Sequence, residues 1–267
     1  MTLSRDDQNA ITRTAHMMAD AARDAILPHF RNLEISADNK DQSGGFDPVT
    51  VADRAAERAM RDVLAQHRPD DGIFGEEYGK TPGKSGITWV LDPIDGTRAF
   101  ISGAPVWGVL IAAGTETGPV FGIVDQPYIG ERFVGGFGAA HLLRGADKKA
   151  LSVRPCAALA DSIMLSTFPE IGTEAEYAAF SRVAAKVQLT RYGLDCYGYA
   201  LLAAGQVDLV IEAGLNAYDI QGPMAVVAAA GGIVTDWQGG PVHDGGQVLA
   251  AGDPAIHAAA LALLNAA

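Results

Sequence analysis

WVLDPIDGTRAF, residues 89–100, joins an apolar run to two carboxylates and then to a helix start. The run ITWVLD ends in Asp-Pro, which predicts a strand to Asp92 followed by a turn. Asp95 lies three residues on in that turn, and Gly96 and Thr97 lead into a helix. Carboxylates spaced in this way face each other across a tight turn, an arrangement that suits hard cations bound through oxygen. The backbone N–H groups of Gly96 and Thr97 would point at an anion in front of the helix. One short segment thus offers cation ligands beside an anion cradle. An ordinary Asx-turn with Asp95-Gly96 as turn residues is the alternative for the same pattern.

Three further acidic positions lie next to apolar segments. Glu76 and Glu77 in GEE (75–77) follow Ile73 and Phe74, just past a short strand; Asp53 sits in PVTVAD (48–53); Asp219 follows VIEAGLNAY at a helix start. Each has a plain reading: Asp53 as the third position of a Thr50 capping box, Asp219 as a helix N-cap, the Glu pair as a solvated face. Taken together these readings fare worse, because an unpaired charge beside an apolar strand end is costly. Two carboxylates about 4 Å apart repel by roughly 4 kcal/mol at an effective dielectric of about 20. A convergent set must therefore protonate or attract cations. Oxygen-only ligands favour Mg²⁺ or Mn²⁺, and no His/Cys set with zinc spacing is present. The residues themselves point to a metal-dependent phosphoryl hydrolase acting on a small phosphorylated metabolite. Two other classes stay open: a non-catalytic metal- or phosphate-binding module, and a glycosidase built on paired carboxylates.

Around this centre the chain reads as two parts. Ser4 and Asp7 form a capping box for one amphipathic helix over residues 4–33, with Ile11, Ala15, Met18, Ala22, Ile26 and Phe30 along it. A polar loop, DNKDQSGGFDP, separates it from a helix from Thr50 to His67 with Ala55, Ala59 and Val63 inward. VWGVLIAAG, PVFGIVDQP and ERFVGGFG predict an antiparallel meander. Beyond residue 150 strands and helices alternate: strands in DSIMLSTF, VDLVIEA, GGIVTDW and QVLAAG, helices at 173–187, 195–205, 219–230 and 253–265. The composition shift at RGADKKALS divides an α+β part, 1–148, from an α/β part, 149–267.

The chain has 267 residues, 32 acidic and 20 basic, so its formal charge is 20 − 32 = −12 and its pI about 4.8. With 48% apolar residues it is globular rather than disordered. The acidity argues against nucleic acid and anionic membranes as partners, since both reward clustered Lys and Arg. Two cysteines, Cys156 and Cys196, make no disulfide framework. The absence of an apolar N-terminal run or an 18-residue apolar stretch predicts neither signal peptide nor membrane span, and a cytoplasmic protein. His16, His67 and His257 read as surface residues, and Trp89, Trp107 and Trp237 as packing.

PVTVAD (48–53), GEE (75–77), WVLDPIDGT (89–97) and YDIQGPMAVVAAAGGIVTDW (218–237) resemble, in order and spacing, the inositol monophosphatase superfamily. These are Mg²⁺-dependent, lithium-sensitive phosphatases of small phosphate monoesters. The resemblance covers about residues 10–265 and implies a layered αβαβα sandwich, a homodimer and two or three Mg²⁺ ions. Glu76, Asp92 and the main-chain oxygen of Ile94 would hold the first ion; Asp92, Asp95 and Asp219 the second; Glu76 with waters a third. Thr97, hydrogen-bonded to Asp53, would orient and activate the attacking water, and the Gly96 and Thr97 amides would bind phosphate. Segments 95–112, 191–205 and 207–223 resemble bacterial histidinol-phosphate phosphatases in particular. There Asp195 and Glu212 would line the alcohol pocket, with Arg191 beside the substrate, suiting a cationic amine and imidazole. An inositol monophosphatase or a broad-specificity phosphatase is the alternative. Lys40 would be a substrate-side cation, Gly222 replaces a common Ala, and segments 105–113 and 119–127 are candidates for the dimer interface.

Overall fold

The central strands carry apolar side chains on both faces, and the period-2 alternation sends successive residues into different cores. The computed structural model describes residues 3–32, 37–39 and 48–266; residues 40–47, Lys40 among them, lie outside that set. The larger sheet has eight strands in the order β10-β9-β8-β7-β6-β5-β3-β4. They are β3 (Gly72–Gly75), β4 (Gly79–Thr81), β5 (Thr88–Asp95), β6 (Gly108–Thr115), β7 (Gly118–Gln126), β8 (Glu131–Gly136), β9 (Ala139–Arg144) and β10 (Asp147–Ala150). All neighbours are antiparallel except β3 and β5. The smaller sheet runs β12 (Leu189–Tyr192), β11 (Ile163–Ser166), β13 (Leu209–Asn216), β15 (Gly245–Ala251), β14 (Ile233–Thr235). A two-stranded pair, β1 (Ala37–Asn39) with β2 (Pro48–Thr50), precedes the second helix.

Among the described residues seven α-helices cover these sheets: α1 (Arg5–Ile26), α2 (Val51–His67), α3 (Thr97–Ile101), α4 (Glu174–Ala184), α5 (Asp195–Ala203), α6 (Ala217–Ala229) and α7 (Pro254–Leu264). On β6, Val109, Ile111 and Ala113 face the core under α1 and α2, while Leu110 faces the core under α5 and α6. On β13, Val210 joins that middle core, and Leu209 and Ile211 pack against α4 and α7. The result is five layers, αβαβα. α6 lies directly on the larger sheet at Gly122, where a Cβ would sit 2.5 Å from the Gly222 carbonyl oxygen. Gly222 in turn leaves no slack, since a Cβ there would be 3.1 Å from the Ile123 oxygen. This is a packing effect, as its replacement of alanine suggests.

Several expected boundaries move, each for an identifiable reason. α1 ends at Ile26 rather than 33, because Pro28 has no N–H to continue the ladder; Phe30 turns back into the core. The inward face of α2 is Ala52, Ala56, Met60 and Leu64, one position from the expected Ala55, Ala59 and Val63, which are half-buried. β5 does not stop at Asp92: it resumes at Asp95 after a bulge between the two residues. The meander continues through β9 and β10, whose residues include part of RGADKKALS, and β12 adds an edge strand. Segments 105–113 and 119–127 offer little surface to a partner chain. They form mainly β6 and β7, interior strands whose two faces are already covered by helices. Both cysteines are free, and among the described residues no helix is long and apolar enough to cross a membrane.

Candidate active site

Most of the acidic residues expected to converge do so where α5 and α6 begin, at one end of the helical layer between the two sheets. Asp92, Asp95 and Asp219 each offer a carboxylate oxygen, and these oxygens lie within 4.8 Å of one another. The bulge in β5 brings both Asp92 and Asp95 there: Asp92 turns inward, 2% exposed, and its Oδ1 accepts a hydrogen bond from the Ile94 N–H at 3.0 Å. Asp95 Oδ2 accepts from the Cys196 N–H at 2.7 Å, which ties the larger sheet to the start of α5. Asp219 Oδ2 accepts from the Asn216 N–H at 2.6 Å, completing the capping box that starts α6. Asp219 is thus the third helical residue of that box rather than the N-cap. A carboxylate with two oxygens can cap a helix and still present a ligand atom.

The electrostatics show what the cluster requires. Burial pushes the Asp92 carboxyl well above the usual range, and the charges of Glu76, Asp95 and Asp219 push it further. A hydrogen bond with Glu76 acts in the same direction, so Glu76 stands beside the trio. Asp95 is also pushed well up, by burial and then by Asp195 and Asp219. An all-oxygen set whose members cannot comfortably ionise together is the donor chemistry of a hard divalent cation, which restores the charged form. Ile94 lines the same cavity, and its main-chain oxygen accepts from the Thr97 hydroxyl at 3.0 Å.

The cavity measures about 290 Å³. Glu76, Asp92, Ile94, Asp95, Gly96, Thr97, Asp195, Glu212 and Asp219 all line it. Gly96 adopts φ +83°, a left-handed conformation that suits glycine, and caps the short α3. Asp195 opens α5 at φ +45°, with Leu194 rather than Asp195 as N-cap, and packs against Gly96: a Cβ there would meet Asp195 Cγ at 3.0 Å. Burial raises the Asp195 carboxyl to about 6, against the opposing pull of the Arg98 guanidinium. Glu212 is a buried wall residue, 5% exposed, rather than a strand-end surface charge. It accepts from the Thr167 N–H at 2.7 Å, the Thr167 hydroxyl at 2.8 Å and the Ser166 hydroxyl at 3.4 Å. Burial outweighs those bonds and raises it to about 7.

Two expected residues do not line the cavity. Arg191 is exposed on β12, the edge strand of the smaller sheet, and is not beside the substrate space. Asp53 is buried at the start of α2, where its Oδ2 accepts from the Thr50 N–H at 2.8 Å and the Thr50 hydroxyl at 2.6 Å. The capping-box reading of Asp53 therefore holds. The Thr97–Asp53 hydrogen bond is not made here: the Thr97 hydroxyl donates to Ile94, and Asp53 Oδ1 is buried with no partner among the described residues. Burial lifts Asp53 to about 6, partly offset by its bonds to Thr50. Arg98, Thr167, Phe168 and Tyr218 also line the cavity, and the sequence did not single them out as wall residues. The Arg98 guanidinium stacks over the Phe168 ring, 5.0 Å from its centroid. The buried carboxylate of Glu57 was also missed; the signal was its place four residues after Asp53 on an otherwise apolar helix face.

Five layers with an oxygen-ligand cluster beside a helix start fit the class of hydrolases that act on small phosphate esters with the help of metal ions. The chain belongs to the inositol monophosphatase family, whose model matches residues 7–267. It is a phosphatase, which leaves the glycosidase and binding-module alternatives behind. Among curated relatives, it is 40% identical over 274 residues to the bifunctional phosphatase IMPL2, chloroplastic, of Arabidopsis thaliana, covering 98% of this chain and 77% of that protein. It is 34% identical over 260 residues to a histidinol-phosphatase of Streptomyces coelicolor, covering 95% and 96%. The solved structure of an inositol monophosphatase from Zymomonas mobilis superposes with a TM-score of 0.85 at 39% identity, covering 99% of this chain and all of that one.

Proposed function

We propose that this phosphatase uses Mg²⁺, or Mn²⁺ in its place, to hydrolyse L-histidinol phosphate to L-histidinol and phosphate. The observation that carries the substrate is Asp195, a half-buried carboxylate that stands with the buried Glu212 on the wall of the metal-site cavity. An amino alcohol bearing an ammonium and an imidazole pairs positive charge with such a wall; an uncharged inositol ring has no charge to pair. Curated histidinol-phosphatases at 31–34% identity support the same choice. A polyol substrate is the second reading, favoured by the likeness to the Zymomonas mobilis inositol monophosphatase.

Glu76, Asp92, Asp95, Asp219 and the Ile94 oxygen would hold two or three ions. When bound, such ions would supply charge neutralisation at the phosphate, a more acidic water and stabilisation of the leaving oxygen. The Gly96 and Thr97 amides, in the first turn of α3 and without acceptors in their own helix, orient the phosphate. Thr97 and Asp53 hold the attacking water. When Ile94 O serves as a ligand, the Thr97 hydroxyl needs another acceptor, and Asp53 Oδ1 is the buried oxygen without a donor. Asp195 and Glu212 receive the alcohol portion. The reading places the enzyme in the cytoplasm, where the thiols of Cys156 and Cys196 stay reduced. A homodimer completes it, formed through surfaces other than β6 and β7.

The deciding experiment measures phosphate release from L-histidinol phosphate and inositol 1-phosphate, with Mg²⁺ and with EDTA. Release abolished by EDTA, restored by Mg²⁺ and faster for histidinol phosphate is expected. A rate ratio of one or less overturns the substrate, and full activity in EDTA overturns the metal.

A further inference from the structure

Glu57 lies one helical turn beyond Asp53 on α2 and is fully buried, an expensive place for a carboxylate unless donors surround it. Its donors are main-chain groups of the turn that carries Glu76. Oε2 accepts from the Glu77 N–H at 2.6 Å, and Oε1 accepts from the Tyr78 N–H at 3.2 Å and from Arg61 Nε at 2.7 Å. Arg61, one turn further along α2, grips the same hairpin from its acceptor side. It donates to the Gly79 oxygen at 2.6 Å and to the Thr81 hydroxyl at 3.0 Å. On the other flank the Glu76 N–H donates to the Leu91 oxygen at 3.1 Å, which fixes it to β5 one residue before Asp92. Gly75 makes the seat possible, since a Cβ there would come within 1.9 Å of Glu57 Oε1.

We infer that Glu57 is a positioning residue for metal binding: it fixes the 75–78 turn so that Glu76 is held beside Asp92 before any ion arrives. The inference rests on the reading of Glu76 as a metal ligand. Without this clamp the main-chain N–H groups of Glu77 and Tyr78 lose their acceptor on α2, and each ion would first have to order the turn. Binding then weakens while chemistry in the loaded site continues. Asp53 acts from the same helix on the water; Glu57 acts on the ligand set and touches neither substrate nor ion. The carboxylate form matters, because one glutamine oxygen cannot accept three donors and the amide NH₂ would face main-chain N–H groups.

The test compares the full wild-type chain with Glu57→Gln and Gly75→Ala. Mn²⁺ binding is titrated by electron paramagnetic resonance of the free ion, and phosphate release is followed against Mg²⁺ concentration. Thermal unfolding verifies that each variant is folded. For Glu57→Gln the Mn²⁺ midpoint and the half-saturating Mg²⁺ are both expected to rise at least tenfold, with kcat at saturating Mg²⁺ within threefold of wild type. Gly75→Ala keeps every charge but displaces the Glu57 carboxylate, so the same shift is expected, and it decides the matter if the glutamine variant does not fold. A merely structural residue would lower the unfolding temperature and leave both midpoints in place; that result in either folded variant overturns the inference. A wild-type chain that binds no Mn²⁺ overturns the metal reading and the inference with it. A wild-type chain that binds Mn²⁺ yet releases no phosphate refutes the catalytic reading alone and leaves the metal midpoints to judge Glu57.

Discussion

Replacing Asp195 by asparagine tests the substrate reading at nearly constant volume. Asparagine also tolerates the left-handed backbone that Asp195 adopts at φ +45°, so the start of α5 and the packing on Gly96 are expected to persist. With its carboxyl raised only to about 6, Asp195 is mainly ionised at pH 7 and able to pair with an ammonium. A hydrogen bond to a charged group contributes about 1.5–3 kcal/mol. Its loss corresponds to a fall in kcat/KM for L-histidinol phosphate of about 10- to 150-fold. Inositol 1-phosphate carries no cation for this residue, so its kcat/KM is expected to stay within threefold. The ion site cannot account for the loss. The Asp195 charge raises the Asp95 carboxyl, so neutralising it makes Asp95 easier to ionise and metal binding no weaker. Both substrates would be assayed by phosphate release at saturating Mg²⁺. An equal fall for the two, or no fall for histidinol phosphate, would refute the reasoning.

Asp95→Asn removes one charge from a trio whose oxygens lie within 4.8 Å of each other, and is expected to slow turnover at least 100-fold with the fold intact. Retention of more than a tenth of wild-type turnover at saturating Mg²⁺ would sink that assignment. The metal-free protein is expected to lose stability as pH rises from about 4 to 7. Asp53 and Glu212 have folded values raised to about 6 and about 7, so the folded chain binds their protons more tightly than the unfolded one. That contribution is complete below their ordinary values and lost as pH climbs through the raised ones. Melting temperatures in EDTA should therefore fall between pH 5 and 8. A melting temperature that rises over that interval contradicts the shifts.

The catalytic architecture was legible because it is written in short, ordered segments. Asp92, Asp95, Gly96 and Thr97 sit within six residues, and the apolar run before them fixes which way the first carboxylate faces. The apolar runs of β6 and β7 between turn residues revealed the meander, yet such a run does not tell a strand buried on both faces within its own chain from one that meets a partner subunit. The candidate interface on those strands rests on that ambiguity. On α2, an error of one position hid Glu57, because the helix buries two acidic groups where a purely apolar stripe was expected. Arg191 illustrates a further limit. Its neighbours Asp195 and Cys196 reach the site, but β12 ends before the chain turns inward, and nothing in RYGLDC marks where that turn falls.

The convergence of these carboxylates has a mechanical consequence. Glu76, Asp92 and Asp95 come from the larger sheet and its margin, whereas Asp219 heads a helix wedged between the layers, about 125 residues later in the chain. An ion held by both groups would act as a rivet through the sandwich, stapling early sequence to late without a covalent bond. The mutual repulsion of the carboxylates would be the spring that this rivet compresses, so that loading the catalyst and locking its architecture would be a single event.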